Sequence, residues 1–109
     1  MNETWVYYGD TQSKEVAPGV SRKVLAHSAA MMGVEITFAT GAVGEPHTHP
    51  HEQITYVQSG RFRFTIGDET HDVTKGDSLY MASEVPHGCV CLESGVLIDF
   101  FTPMREDFV

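Results

Sequence analysis

Three histidines and a glutamine constrain the fold of this 109-residue chain more tightly than any other feature. His47, His49 and Gln53 stand in G-E-P-H-T-H-P-H-E-Q, and His87 follows about forty residues later in V-P-H-G-C-V. Alternate residues of a strand project to one side, so His47 and His49 can reach one ion. Pro50 interrupts that strand, Gln53 returns on the next, and His87 arrives from another strand pair. Bringing the four together predicts a barrel with one divalent metal ion per chain in its mouth. Three neutral imidazoles and an amide oxygen suit Ni, Zn, Fe, Mn or Co. They also leave the charge of the ion uncompensated, which strengthens a Lewis acid.

The rest of the chain agrees with an all-β barrel. Short runs of β-branched and aromatic residues alternate with turn signals at Pro18-Gly19, Gly41 to Pro46, Ser59-Gly60, Gly67-Asp68, Lys75-Gly76-Asp77 and Glu93-Ser94-Gly95. Val34, Ile36 and Phe38 share one face of a predicted strand, and so do Phe62, Phe64 and Ile66. No segment of helical length keeps a 3.6-residue period, and Leu25 to Met32 reads as the end of one strand and the start of another. Residues 96–101 read V-L-I-D-F-F, apolar on both faces. If Asp99 faces the cavity with Leu97 and Phe101, then Val96, Ile98 and Phe100 need cover; a second sheet of the same chain can supply it, and a second subunit, the preferred source, equally can.

The other chemistry-bearing residues have plainer readings. His51 follows Pro50 in a tight turn and is expected in solvent. Glu52 rivals Gln53 as a ligand, but strand parity puts it on the opposite face. His27 and His71 have no partners in the pattern. Cys89 and Cys91 share parity with His87 and read as buried small hydrophobes, too far apart on one strand for an unstrained disulfide.

Composition narrows the partners. A formal charge of −8 argues against nucleic acid, whose phosphates need clustered Lys and Arg. No apolar run approaches membrane-spanning length. An acid stands where the basic start of a secretory leader would lie, and the thiols suit a reducing compartment, so a cytoplasmic location is expected. The length predicts one domain over residues 1–109, with a core small enough to gain from oligomerisation.

The motifs resemble those of the cupin superfamily. Its first motif, G-x5-H-x-H-x3,4-E-x6-G, is matched by Gly41, His47, His49, Gln53 and Gly60, with Gln in place of Glu. In the second, G-x5-P-x-G-x2-H-x3-N, Gly76 and His87 hold their places while Ala82, Glu84 and Cys91 replace Pro, Gly and Asn. S-R-K-V-L-A-H, H-T-H-P-H-E-Q-I-T-Y-V, F-T-I-G-D-E-T and the tail D-F-F-T-P-M-R-E-D-F are similar to the pectin-degradation cupins of the KdgF type. Those carry D-x-F-x3-R after the second motif, matched here by Asp99, Phe101 and Arg105. The resemblance implies a double-stranded β-helix (a small jelly-roll barrel), a bound divalent metal and a homodimer. It also implies conversion of 4,5-unsaturated uronate monosaccharides, from pectin or alginate lyases, into linear 4-deoxy-5-keto-uronates.

In that chemistry Asp99 would move protons, Arg105 would meet the sugar carboxylate, and Phe101 would pack against the sugar. Two other readings compete: another metal-dependent cupin enzyme such as a dioxygenase, and a non-catalytic domain that binds a sugar or metabolite. Oxygen consumption would mark the first. The second has no need of an acid inside an apolar strand.

Overall fold

The computed structural model describes residues 3–109. Eight strands follow one another: β1 (Lys14–Ala17), β2 (Val20–His27), β3 (Met32–Phe38), β4 (Val43–His47), β5 (Glu52–Ile66), β6 (Glu69–Thr74), β7 (Ser78–Met81) and β8 (His87–Thr102). Single 3-10 turns lie at Tyr8–Asp10 and Glu106–Phe108. Every strand pairing is antiparallel, in the order β1-β2-β3-β8-β5-β6, with β4 on β8 and β7 on β5.

Two long strands close the barrel. β5 and β8 pair from Glu52 opposite Thr102 to Ile66 opposite His87. The second half of β8 bonds to β3 and its first half to β4, while β5 bonds to β7 and then to β6. Each long strand therefore serves both walls, and the ribbon must bend in the middle. Gly60 and Gly95 stand at that bend. A Cβ on Gly95 would lie 2.1 Å from the Ser59 carbonyl oxygen, and one on Gly60 would lie 2.6 Å from that of Glu93. Gly60 also sits at φ +82°, where side chains are strained.

This bend corrects the reading of Ser59-Gly60 and Glu93-Ser94-Gly95 as turns between strands. Both are irregularities inside continuous strands. Register shifts between Val57 and Phe62 move the inward set of β5 from Gln53, Thr55 and Val57 to Phe62 and Phe64. Likewise the Gly41 to Pro46 run is not all turn, since β4 begins at Val43.

The expected alternation holds. Val34 and Phe38 are buried on β3, and Phe62 and Phe64 on β5. Phe62 meets Phe38 edge to face at 5.3 Å, in a core with Val57, Met81 and Leu97. Burying one such ring contributes roughly 1.5–3 kcal/mol. A second cluster of Met32, Val34 and Phe101 receives Met104 and Phe108 from the tail. On β8, Leu97, Asp99 and Phe101 point inward and are buried, as expected, while Phe100 stays 46% exposed. Across the outer face Tyr80, Ile54 and Phe100 are in register, and all three are exposed. Cys89 and Cys91 are buried free thiols. Among the described residues no helix is long and apolar enough to cross a membrane.

Candidate metal centre

His47 closes β4 and His87 opens β8, and the two residues are paired across that ladder. His49 stands beyond the end of β4, not on the strand as its spacing predicts. The chain is already leaving the sheet to turn at Pro50 and enter β5. The result is still convergence: ligand nitrogens of His47, His49 and His87 all lie within 4.8 Å of one another.

Backbone carbonyls set the ring orientations. Nδ1 of His47 lies 2.9 Å from the Glu45 carbonyl oxygen, Nδ1 of His49 lies 3.0 Å from that of His51, and Nδ1 of His87 lies 3.0 Å from that of Val85. A carbonyl only accepts, so each Nδ1 carries the proton and each Nε2 presents a lone pair. Burial holds the His49 and His87 pKa values below the ordinary imidazole value, and the neutral ring is the form that binds a metal.

Two observations show that this set fits a cation. His87 Nε2 is buried without a hydrogen-bond partner. His49 Nε2 lies 3.0 Å from Gln53 Oε1, while Gln53 Nε2 donates to Thr55 Oγ1 at 3.0 Å. The amide is thereby fixed with its oxygen toward a ring nitrogen that holds no proton. Two acceptors face each other, a conflict that a divalent ion between them would relieve. Three histidines are thus positioned to bind a metal, with the Gln53 oxygen as neighbour.

Asp99 points into the same cavity and is buried. Its Oδ1 accepts a hydrogen bond from Thr55 Oγ1 at 2.6 Å. Burial pushes its carboxyl up to about 6, against the opposing pull of Thr55, Gln53 and Arg105. Phe101 is buried, with its ring edge-on to His49 at 5.7 Å and to Phe108 at 5.7 Å. The cavity that Asp99 shares with His47, Gln53, His87 and Arg105 has a volume of about 160 Å³.

Arg105 is in place but engaged. Its Nε and Nη2 donate to the two carboxylate oxygens of Asp107 at 3.1 and 3.0 Å, and its guanidinium stacks 4.3 Å from the Phe108 ring centroid. That pairing holds the Asp107 carboxyl below the usual carboxylate range.

His51 corrects its sequence reading. It is half-buried, and its Nε2 donates to the Met104 carbonyl oxygen at 3.1 Å, tying the tail to the barrel mouth. A contact over this sequence separation leaves no local signal. Glu52 faces outward and accepts a hydrogen bond from Tyr80, as parity requires. His27 bonds the Leu25 carbonyl at 3.3 Å, and His71 pairs with Glu69 on the surface. Sequence reasoning passed over Thr55, which links Gln53 to Asp99, and Arg22, which lines the cavity. Both are polar residues at inward positions of their strands, a signal visible only once the inward face is known.

Comparison with known proteins agrees with this architecture. A family model described as a cupin domain matches residues 34–100. The pectin degradation protein KdgF of Dickeya dadantii (strain 3937) is 41% identical over 102 residues, which is 92% of this chain and 93% of that protein. The structure of KdgF from Halomonas sp. superposes with a TM-score of 0.93 at 35% identity, covering 98% of this chain and 99% of that one. An RmlC-like cupin from Shewanella frigidimarina NCIMB 400 gives 0.94 at 37% identity, covering 98% and 96%. With the barrel, the histidine cluster and these likenesses together, the chain belongs to the cupin family, in its KdgF-type branch.

Proposed function

We propose that the protein is an enzyme that opens the ring of 4,5-unsaturated uronate monosaccharides to give linear 4-deoxy-5-keto-uronates. The observation that carries this reading is the buried carboxylate of Asp99, joined through Thr55 to Gln53 beside three converging imidazoles. A desolvated acid with a raised pKa beside a candidate metal centre favours a catalytic role over pure binding. The likeness to a pectin degradation protein over nearly the whole chain supports the substrate class.

The substrate is a cyclic hemiacetal whose ring oxygen belongs to an enol ether conjugated to a carboxylate. Loss of the O1 proton and cleavage of the C1–O5 bond give an aldehyde at C1 and an enolate at C5. Protonation of that enolate at C4 gives the ketone. Substrate and product are isomers, so no oxidant is needed. Asp99, with its carboxyl raised to about 6, is suited to accept the O1 proton near neutral pH and return one at C4. Arg105 places positive charge near the sugar carboxylate, and Phe101 walls the cavity against water. One divalent ion held by His47, His49, Gln53 and His87, whether Ni, Zn, Fe, Mn or Co, would supply Lewis-acid stabilisation of negative charge developing on oxygen.

The exposed Tyr80, Ile54 and Phe100 row supports a homodimer built on that face. Two buried thiols left free suit a cytoplasmic setting. The test of the reaction is direct. Metal-loaded protein is mixed with unsaturated monouronate from a pectate or alginate lyase, and the ultraviolet absorbance of the conjugated double bond is followed beside an oxygen electrode. Loss of absorbance without oxygen uptake is expected. Stable absorbance rejects the reading, and oxygen uptake points to a dioxygenase.

A further inference from the structure

The cavity carries a second cation that the proposed reaction leaves unused. Val20, Arg22 and Val24 share the inward face of β2, with Val20 in the main core and Val24 against the second cluster. Arg22 is therefore a half-buried guanidinium set between two core valines. Such a group calls for an anionic partner. Among the described residues Arg22 has no carboxylate oxygen within 4.0 Å and makes no side-chain hydrogen bond. Its one organised contact is the face of Phe108, 3.8 Å from its guanidinium carbon.

Arg105 stacks near the same ring at 4.3 Å, and both arginines line the cavity that holds Asp99. They differ in occupancy. The fork of Arg105 is filled by Asp107, whereas that of Arg22 is free. Asp99 is the carboxylate that lines this cavity with the two guanidiniums, and Asp107, which also attracts Arg22 at longer range, is taken up by the Arg105 fork, while the imidazoles and amide add no negative charge. In register, Arg22 opposes Ile36, which opposes Leu97, two residues from Asp99 on β8. Two strand spacings, about 10 Å, separate those positions across Ile36, which lines the same cavity.

From this geometry we infer that Arg22 is the residue whose free fork grips the carboxylate of the ligand, with Arg105 fixed by Asp107 beside it. The inference rests on the uronate reading and deepens it by moving the specificity-determining grip from the tail to β2. A planar guanidinium bonds a carboxylate through two parallel N–H groups, and an ammonium cannot reproduce that geometry.

Carboxylate recognition can be tested without any turnover. Metal-loaded protein is titrated by calorimetry with D-galacturonate and with neutral D-galactose. Wild type should prefer the acid. Arg22→Met keeps the stem on Phe108 and should weaken galacturonate binding by about 30-fold. Arg22→Lys should weaken it by only about fivefold. The same variants should raise KM for lyase-generated unsaturated uronate far more than they lower kcat, with metal content unchanged. If Arg22→Met and Arg22→Lys both bind galacturonate as wild type does, the inference is overturned even where ring opening proceeds. If wild type binds the acid through Arg22 but does not open the unsaturated ring, the grip stands and the reaction assignment fails. Equal binding of acid and neutral sugar by wild type overturns the inference as well.

Discussion

Thr55→Val isolates the link between the metal ligands and the acid. Thr55 is fully buried, accepts from Gln53 Nε2 at 3.0 Å and donates to Asp99 Oδ1 at 2.6 Å. Valine has nearly the same shape, so no cavity opens. Two bonds are lost instead. The Gln53 amide is left with an unsatisfied buried donor, a penalty of about 1–3 kcal/mol, and Asp99 loses a charge-assisted bond of about 1.5–3 kcal/mol. Burying a methyl in place of a hydroxyl returns roughly 1 kcal/mol. The net loss is about 3 kcal/mol, or roughly 12 °C in Tm for a domain of this size. Gln53 is also freed to rotate its oxygen away from His49, so metal affinity should fall by about 10- to 100-fold. Urea unfolding in chelator reads the first effect, and competition with a coloured chelator reads the second. Thr55→Ser should recover most of both. Stability within 0.5 kcal/mol of wild type (~0.5, the scale of ordinary surface substitutions), together with unchanged metal affinity, would refute the linkage.

Three further outcomes can be checked separately. Asp99→Asn leaves the imidazoles and Gln53 in place, so metal content should persist while turnover on unsaturated uronate falls by about 100-fold or more; near-normal turnover would make Asp99 a structural acid. Phe100→Glu puts a charge into the exposed Tyr80, Ile54 and Phe100 row and should convert a dimer to a monomer by light scattering; a dimer that survives is built on another face. Burial pushes the Cys89 thiol up to about 12 and also raises Cys91, so ionisation opposes folding as pH rises above the ordinary thiol value. Neither thiol should react with a disulfide reagent at pH 8 until denaturant is added, and rapid labelling of native protein would contradict their burial.

Much of the site was legible because its signals are local. The spacing of His47, His49 and Gln53, the second-motif position of His87, and an acid inside V-L-I-D-F-F can each be read within a few residues. Period-two alternation grouped Asp99 with Leu97 and Phe101, and the inward choice for that set, made on the acid, is the one the structure shows. What escaped depended on the bend in the long ribbon. Gly60 and Gly95 look like turn residues, and only their mutual contact shows that they let β5 and β8 pass close together. The parity change in β5 across that bend hides Thr55, which otherwise reads as an ordinary strand threonine. His51 and Arg22 escaped for a different reason. Their neighbours, Met104 and Phe108, come from the far end of the chain, and no pattern near residues 22 or 51 announces them.

The proposed reaction is an isomerisation without redox chemistry, in which a proton is delivered to C4. Carbon NMR of a complete turnover in deuterium oxide tests it most directly. Metal-loaded wild type acting on lyase-generated unsaturated uronate should yield a C5 ketone carrying deuterium at C4 and an aldehyde or its hydrate at C1. The olefinic carbons should disappear in equal measure. Intact olefinic signals with the metal site filled, or a product containing an added oxygen atom, would contradict the claim.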